Sequence, residues 1–271
     1  MISLVFPAYN PGPAVEQTWL AAREFLRAQP SPWEILFVCD GCTDGTQERL
    51  EKLGATTGES RIRVVGYAPN RGKGYAVRYG LLAARGRWRV FTDVDLAYRF
   101  EDVVRLADEL RAGADVAIAS REHPDSVIQL PPRHLAYAYR RRLQSKVFGK
   151  VARTILPLTQ LDTQAGLKGM SASVAEQLLP SLTCSGFGFD CELLTACARY
   201  NIAVTEVPVC VRYEDTASTT GMGSTVRMLR EIWQIRRVWR KNGFPPPARV
   251  GADSLPGIPA DHGDPGHSKA A

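Results

Sequence analysis

Short apolar runs alternate with segments of helical spacing from residue 2 to residue 119, and this alternation constrains the fold most strongly. The runs are almost continuously apolar, as in residues 34–39, which is typical of strands buried on both faces of a parallel sheet. Helical spacing is clear between them, for example in residues 14–28 and 74–84. We therefore predict an α/β fold with a Rossmann-like, mainly parallel sheet and helices on both faces. Ligands of such sheets bind at the carboxyl ends of the strands.

The alternation ends near residue 130, and longer helices dominate the rest of the chain. The elements predicted there are a short strand after Gln164, a longer strand at residues 202–213, and helices at residues 133–156, 173–179, 189–200 and 225–242. Residues 244–271 are rich in Pro and Gly and are predicted to form a disordered tail. We predict a single domain over residues 1–243 that consists of two halves, residues 1–121 and residues 122–243.

Basic residues are concentrated in two segments, although the net charge is only +6. Residues 126–161 contain seven basic side chains and no acidic one, and residues 227–249 contain a single acid, Glu231. Such segments predict anionic partners, namely phosphates, an anionic membrane surface or nucleic acid. Because neither segment contains a recognised nucleic-acid-binding module, we do not expect a nucleic-acid partner.

Cysteine usage and hydropathy indicate the cellular compartment. The sequence has no run of about 18–20 apolar residues, and the first strand begins directly after Met1 without a signal peptide. Six cysteines are scattered through strand-like and helix-like segments, which is typical of reduced thiols. Cys39 and Cys42 are interpreted as packed thiols, because no second pair or nearby histidine completes a zinc site. We therefore expect a cytoplasmic protein.

Two aspartates, Asp93 and Asp95, follow the fourth predicted strand where it runs into a loop. Side chains two residues apart can converge there on one hard cation. Carboxylates that leave positions open for phosphate oxygens are the usual ligands of Mg²⁺ or Mn²⁺ beside a nucleotide diphosphate. Because Asp is also common in turns, the pair alone does not distinguish a metal site from an ordinary turn.

Further polar groups follow the neighbouring predicted strands. Tyr9 follows the first strand, Asp40 and Asp44 follow the second, and a Gly-Lys-Gly turn at residues 72–74 begins a helix. An aromatic ring suits a nucleotide base, a carboxylate suits a base or ribose, and backbone N–H groups at a helix start suit phosphates. A flexible turn with a solvated lysine is the alternative interpretation of the Gly-Lys-Gly sequence. Together with Asp93, these groups predict a nucleotide site at one edge of the sheet.

Eight motifs, taken in order, resemble glycosyltransferase family 2: FPAYN, CDGCTDGT, NRGKGYAVRYGL, TDVDLAYRFEDV, IASR, DTQAGLKG, FGFDCELL and EVPVCVRYED. The likeness covers residues 2–240 and is nearest to the dolichyl- or polyprenyl-phosphate β-glucosyltransferase branch. It implies a GT-A fold, a UDP-sugar donor expected to be UDP-glucose, and Mg²⁺ or Mn²⁺ as cofactor. It also implies inverting transfer of the sugar to a polyprenyl phosphate at the cytoplasmic face of a membrane.

The resemblance and the strand-end positions together imply that residues 1–121 form a nucleotide-binding half and residues 122–243 an acceptor half with basic amphipathic helices. They also imply roles for individual residues. The residues expected to bind the nucleotide are Pro7, Ala8, Tyr9, Asp40, Lys73, Asp93 and Val94, with Val94 against the ribose. The expected metal ligands are Asp93 and Asp95. The residues expected on the catalytic side are Arg121, Asp162, Asp190 and Glu192. Of these, Arg121 is expected to contact phosphate, and the three acids are expected to border the sugar and the acceptor.

Three positions depart from the family pattern. Cys39 replaces the first member of the usual Asp-Asp pair, which leaves Asp40 to recognise the base or ribose. Pro11 stands where a glutamate commonly follows Tyr-Asn, so one nucleotide contact of the family is absent at that position. Ala97 stands where the mannosyltransferase relatives often carry a glutamine, and this difference favours the glucosyl branch.

A phosphate acceptor requires positive charge in the site more than it requires a group that removes a proton. A hydroxyl acceptor needs a general base, whereas a phosphate monoester, with a second pKa near ~6, already presents an anionic oxygen at neutral pH. Cations are then needed to offset repulsion from the donor diphosphate, and the basic segment at residues 133–153 fits that need. We therefore treat Asp162 either as a base or as an orienting group, with a helix-capping or loop-capping role as the alternative.

The last predicted helix carries Trp233 together with several arginines. Val226, Leu229, Ile232, Trp233, Val238 and Trp239 are predicted to lie largely on one face, which would suit an anionic membrane interface or simply the protein core. We expect a peripheral association with the inner membrane face. The alternatives are a family member that uses GDP-mannose or a soluble acceptor, and a non-catalytic protein that binds nucleotide sugar or membrane.

Overall fold

The computed structural model describes the backbone of residues 1–129, 135–212 and 222–241, and the side chains of residues 1–129, 145–211 and 227–238. Nine strands are present in this part of the chain: β1 (Ile2–Ala8), β2 (Trp33–Asp40), β3 (Ile62–Tyr67), β4 (Trp88–Phe91), β5 (Val116–Ser120), β6 (Val127–Gln129), β7 (Lys168–Ser171), β8 (Val204–Pro208) and β9 (Cys210–Arg212). Seven of them form one sheet in the order β3-β2-β1-β4-β7-β5-β8, while β6 and β9 pair separately. In the large sheet β7 is antiparallel to β4 and β5, and the other pairs are parallel. The predicted mainly parallel sheet is therefore confirmed.

Helices cover both faces of this sheet, as predicted. The α-helices in the described residues are α1 (Ala14–Ala28), α2 (Thr46–Thr57), α3 (Lys73–Ala83), α4 (Phe100–Arg111), α5 (Leu135–Ile155), α6 (Ala172–Leu178), α7 (Phe189–Arg199) and α8 (Met222–Lys241), and a short 3-10 helix (Leu179–Ser181) follows α6. One apolar layer joins α1, α2 and α4 to the sheet, and it includes the stacked rings of Phe6, Trp19 and Phe37. The second layer joins α3, α5, α6, α7 and α8 to the opposite face.

The register of the strands brings three loops to one edge of the sheet. Strand β1 lies between β2 and β4 and is parallel to both, with Ala8 opposite Cys39 and Val5 opposite Phe91. The carboxyl ends of β1, β2 and β4 therefore meet at the same edge. The loops that leave this edge carry Tyr9, the residues after Asp40, and Asp93.

The prediction of one long strand at residues 202–213 is wrong. The chain forms two short strands there, β8 in the large sheet and β9 in the small one, separated by Val209. At the break, the Val209 N–H donates to Ser126 Oγ and the Cys210 N–H donates to Asp102 Oδ1, so neither bonds a neighbouring strand of the large sheet. The proposed tail at residues 244–271 lies outside the described residues, and the division of the chain into two halves stays a prediction.

Candidate functional site

The loops after β1 and β2 are tied together at the carboxyl edge of the sheet. Asn10 Oδ1 accepts a hydrogen bond from the Thr43 N–H at 2.8 Å, and Asp44 Oδ2 accepts one from the Gly12 N–H at 2.7 Å. Above them, the Tyr9 side chain is 57% exposed, whereas Ala8 is buried and Pro7 is half-buried. The predicted base-binding segment therefore presents an open aromatic ring on a fixed loop.

Asp40 is buried at the end of β2, and its carboxylate organises the turn before α3. It accepts hydrogen bonds from Asn70 Nδ2 at 2.9 Å, the Arg71 N–H at 2.7 Å and the Gly72 N–H at 2.9 Å. These contacts position the Gly-Lys-Gly turn. This structural role of Asp40 was not apparent from the sequence. The predicted contact of Asp40 with base or ribose stays a prediction beside this structural role.

Lys73 is the first residue of α3 and reaches the loop after β4. Its Nζ lies 2.6 Å from Asp93 Oδ1. Desolvation acts to lower the pKa of Lys73, but the charges of Asp93 and Asp190 outweigh it and raise that pKa above its ordinary value. A cation is therefore stabilised directly beside Asp93.

The two aspartates of the predicted metal pair occupy one short loop. Asp95 is exposed and its Oδ1 accepts a hydrogen bond from the Ala97 N–H at 3.1 Å, while the carbonyl of Val94 accepts one from Thr18 Oγ1 at 2.7 Å. Within the described residues, no group of three or more His, Cys, Asp or Glu side chains could hold a metal by itself. Asp93 and Asp95 would supply hard carboxylate oxygens for Mg²⁺ or Mn²⁺, and a ligand's phosphate oxygens and water would complete the coordination. Asp93 already binds one positive charge, the Lys73 ammonium, and this pairing is consistent with a carboxylate placed to bind a cation.

Asp162 and Arg121 form a bidentate ion pair. Arg121 Nε lies 2.6 Å from Asp162 Oδ2, Nη2 lies 3.0 Å from Oδ1, and the Arg121 N–H donates to Oδ2 as well. Burial acts to raise the pKa of Asp162, but Arg121 outweighs it and holds that pKa below its ordinary value. A carboxylate stabilised in this way is a weak proton acceptor, so the structure favours the orienting role of Asp162 over the base role.

Asp190 is paired with a lysine that sequence reasoning missed. Lys168 is fully buried in β7, and its Nζ donates to Asp190 Oδ1 at 2.7 Å and to the carbonyl of Ala165. A lysine between Leu167 and Gly169, at the start of a short strand, was the available signal, because a buried ammonium requires a paired carboxylate. Lys168 thus fixes Asp190 near Lys73, which Asp190 also influences electrostatically.

Glu192 has a different environment from Asp190. Its carboxylate accepts hydrogen bonds from the Thr183 N–H, Thr183 Oγ1 and the Cys184 N–H, at 2.7 to 3.0 Å. These contacts hold the loop at residues 183–188, whose Ser185 carbonyl accepts a hydrogen bond from the Gly74 N–H at 2.8 Å. Glu192 therefore positions the loop that borders the start of α3, and its predicted contact with sugar or acceptor stays a prediction.

Gly166 connects the Asp162 loop with the Asp93 loop. Its N–H donates to Tyr98 Oη at 3.2 Å, and Tyr98 is buried, which raises its pKa. Asp93 Oδ2 lies so close that a Cβ on Gly166 would be 2.1 Å from it. The structure thus brings Lys73, Asp93, Asp162 and Asp190 into one neighbourhood, with Tyr9 and Asp40 along the same edge of the sheet.

The sheet, its two helical layers and a polar site at the carboxyl edge define a GT-A-type α/β fold. Residues 3–179 match the family model "Glycosyl transferase family 2", and the chain belongs to that family. Dolichyl-phosphate beta-glucosyltransferase of Saccharomyces cerevisiae is 29% identical over 256 residues, which cover 88% of this chain and 75% of the yeast protein. Glycosyltransferase AglD of Haloferax volcanii is 30% identical over 245 residues, which cover 86% of this chain and 37% of AglD.

The fold likeness extends to solved structures. Glucosyl-3-phosphoglycerate synthase of Mycobacterium tuberculosis in complex with UDP has a TM-score of 0.61 at 22% identity, covering 88% of this chain and 80% of the synthase. A complex of the same enzyme with Mn²⁺, UDP and glucosyl-3-phosphoglycerate has a TM-score of 0.58 at 22% identity, covering 87% and 79%. At these identities the likeness establishes the shared fold.

Proposed function

We propose that this protein is an inverting, metal-dependent glycosyltransferase that moves glucose from UDP-glucose to a polyprenyl phosphate. The observation that carries the proposal is the ion pair of Lys73 with Asp93, in the loop that also carries Asp95, at the same carboxyl edge of the sheet as the exposed Tyr9. The yeast relative, a dolichyl-phosphate beta-glucosyltransferase, supports the donor sugar and the acceptor class. The Mn²⁺ and UDP bound by the mycobacterial synthase support the cofactor and the nucleotide.

The residues of the site fit a single displacement. An acceptor phosphate oxygen would form a bond to the anomeric carbon of glucose while the bond from that carbon to UDP breaks, and UDP leaves with the electron pair. When bound, Mg²⁺ or Mn²⁺ would neutralise charge on the departing diphosphate. Lys73 would supply a second positive charge there. Since the attacking oxygen is already anionic, Asp162 can remain paired with Arg121 throughout.

The decisive test measures transfer and its dependence on Asp95. Purified protein is incubated with Mn²⁺, polyprenyl phosphate and labelled UDP-glucose, and the glycolipid is extracted and its anomeric configuration determined by NMR. We expect a β-linked product from the α-linked donor. We expect Asp95→Asn to lower turnover by about a hundredfold or more, because a lost metal ligand removes charge stabilisation from the transition state.

The control for this substitution is Asp108→Asn, which neutralises an exposed carboxylate on α4 and should leave turnover unchanged. Undiminished turnover in Asp95→Asn would contradict the metal role. Product from GDP-mannose, or from a soluble phosphate but not the lipid, would instead support the alternative donor or acceptor. UDP binding without product from any donor would support the non-catalytic alternative.

We also propose that α8 attaches the protein to an anionic membrane surface. The prediction placed Ile232 and Trp233 on the same face of this helix, but the structure places them on different faces. Ile232 is buried in the core, while Trp233 is 59% exposed. The Arg236 guanidinium lies 5.6 Å from the centre of the Trp233 ring, and Arg230 and Arg237 are exposed nearby. An exposed aromatic ring among arginines suits an interface of anionic head groups.

The single acidic residue of α8 does not face the surface that we propose to bind the membrane. Glu231 lies on the inner side of α8, where its Oε2 accepts a hydrogen bond from the Gly188 N–H at 2.7 Å. The side chains of Val226 and Trp239, which the prediction also placed on the membrane face, lie outside the described residues. Among the helices that the structure describes, none combines the length and the hydropathy that a bilayer span requires.

A further inference from the structure

Lys73 and Asp93 form an ion pair within the proposed donor site, with 2.6 Å between Nζ and Oδ1. We propose that Lys73 is an exchangeable counter-ion, which neutralises Asp93 until a divalent metal and a nucleoside diphosphate bind together. The metal then takes the place of the ammonium on Asp93, and the ammonium moves to the diphosphate. This inference rests on the proposed function and adds an order of events to the same site.

The surroundings of Asp93 place a metal in direct competition with Lys73. Its Oδ1 faces Lys73, and its Oδ2 packs against the Cα of Gly166, where a Cβ would lie only 2.1 Å away. A metal ligated by Asp93 needs a lone pair of one of these two oxygens. The Gly166 backbone belongs to a loop that is hydrogen-bonded to Tyr98. Lys73 is therefore the neighbour of Asp93 that can move away from the carboxylate.

The two lysines near this site differ in their freedom to move. Lys168 is fully buried and donates to both Asp190 and the carbonyl of Ala165, so it is fixed. The side chain of Lys73 is partly exposed at the edge of the sheet, and its ion pair is with Asp93. A lysine carries a compact charge on a flexible stem, which can follow a phosphate over a short distance.

Exchange couples the binding of metal to the binding of diphosphate. Metal alone must displace Lys73, so its affinity is reduced, whereas a diphosphate that takes up Lys73 removes the competition. By linkage, each ligand then strengthens the binding of the other by the same factor. Removing the ammonium should therefore have opposite effects on the two ligands: tighter Mn²⁺ binding in the absence of nucleotide, and weaker UDP binding.

The test titrates Mn²⁺ by electron paramagnetic resonance, which detects the free ion, in the presence and absence of UDP. We expect Lys73→Met to raise the Mn²⁺ affinity of the nucleotide-free protein about fivefold, the size of a partly exposed ion pair, and to reduce the strengthening by UDP. Lys73→Arg keeps the charge and should keep the competition. Lys52→Met removes an exposed lysine of α2 and should behave as wild type.

The outcomes separate this inference from the proposed function. If UDP strengthens Mn²⁺ binding to the wild type, and Lys73→Met neither raises Mn²⁺ affinity nor reduces that effect, exchange is overturned while the proposed donor site stands. If UDP has no effect on Mn²⁺ binding to the wild type, the proposed donor site fails and exchange fails with it. Circular dichroism checks folding, and Lys73→Gln replaces the Met variant if that variant is unfolded, with the same expected shifts.

Discussion

At the residue scale, hydrogen bonds from neighbouring groups determine which of the predicted acids can take part in chemistry. Asp40, Asp162, Asp190 and Glu192 are all buried and accept hydrogen bonds from backbone N–H groups, arginine, lysine or hydroxyl donors. Such carboxylates hold loops and helices in place. Asp93 and Asp95 lie nearer to solvent, and this position leaves them as the acids best placed to meet an incoming cation.

The pair of Asp162 and Arg121 predicts a loss of stability when the carboxylate is removed. Asp162→Asn keeps the shape of the side chain but removes the buried carboxylate that accepts three hydrogen bonds from Arg121, and we expect the free energy of unfolding to fall by about 2–4 kcal/mol. If Asp162 orients Arg121 and is not a base, turnover of the folded variant should keep the wild-type pH profile near neutrality. Urea unfolding and a pH–rate profile measure the two effects.

The pH dependence of this stability difference has a defined sign. Because the folded protein lowers the pKa of Asp162, the pair stabilises the protein fully above the ordinary carboxyl pKa of 3.8, and this stabilisation is lost as the pH falls further. The difference between wild type and Asp162→Asn should thus be constant from neutral pH to about pH 5 and shrink in stronger acid. Asp125→Asn, at an exposed position, is the control. A variant as stable as wild type would contradict the prediction.

Particular residues show what the sequence could and could not reveal about this site. The positions of Tyr9, Asp40 and Asp93 followed from the strand pattern, because parallel strands that are neighbours must end at one edge. The partners of Asp40 and Asp190 could not be predicted. The buried lysine of β7 indicated that a carboxylate must pair with it, but not which one. Both sets of partners depend on contacts between elements far apart in the chain, which periodicity within one element does not encode.

At the element scale, the loop at residues 183–188 connects three helices around the site. Glu192 of α7 holds one end of the loop, Glu231 of α8 binds the Gly188 N–H at the other, and the Ser185 carbonyl binds the first turn of α3. The position of Lys73 at the start of α3 therefore depends on α7 and α8. A change in this contact should alter donor binding without touching any carboxylate of the site.

Gly72 provides the test of this dependence. Its φ of 95° and ψ of 159° are nearly exclusive to glycine, and a Cβ there would lie 2.5 Å from the Ser185 carbonyl oxygen. We expect Gly72→Ala to cost about 2–4 kcal/mol of unfolding free energy, since backbone strain and a steric clash combine. We also expect it to weaken binding of UDP with Mn²⁺ several-fold, as measured by calorimetry.

Gly45 offers a matched control for Gly72. It precedes α2 with a φ of 79°, but a Cβ on it would meet nothing within 4 Å. Gly45→Ala should therefore show only the left-handed backbone cost of about 1 kcal/mol and unchanged nucleotide binding. Equal losses of nucleotide affinity in the two variants would show that the loop contact does not position Lys73.

At the scale of the whole molecule, the alternation of strands and helices was sufficient to predict the sheet and its two layers, but not the order of its second half. Strand β7 enters between β4 and β5 in the antiparallel direction, and a run of four residues, Lys168–Ser171, carries no sign of its direction. The two layers also separate two surfaces: α1 packs on one face of the sheet and α8 on the other.

This separation makes the membrane proposal testable with variants on opposite layers. Arg230→Gln combined with Arg237→Gln should lower sedimentation with phosphatidylglycerol-containing vesicles by about tenfold or more, since each arginine near an anionic surface contributes about 1 kcal/mol. Trp233→Gln should weaken binding further, because its exposed ring would enter the interface. Leu20→Gln removes a similarly exposed apolar side chain from α1 and should bind as wild type. Binding should also fall as salt screens the arginines, and equal binding by all the variants would place the membrane-facing surface elsewhere than α8.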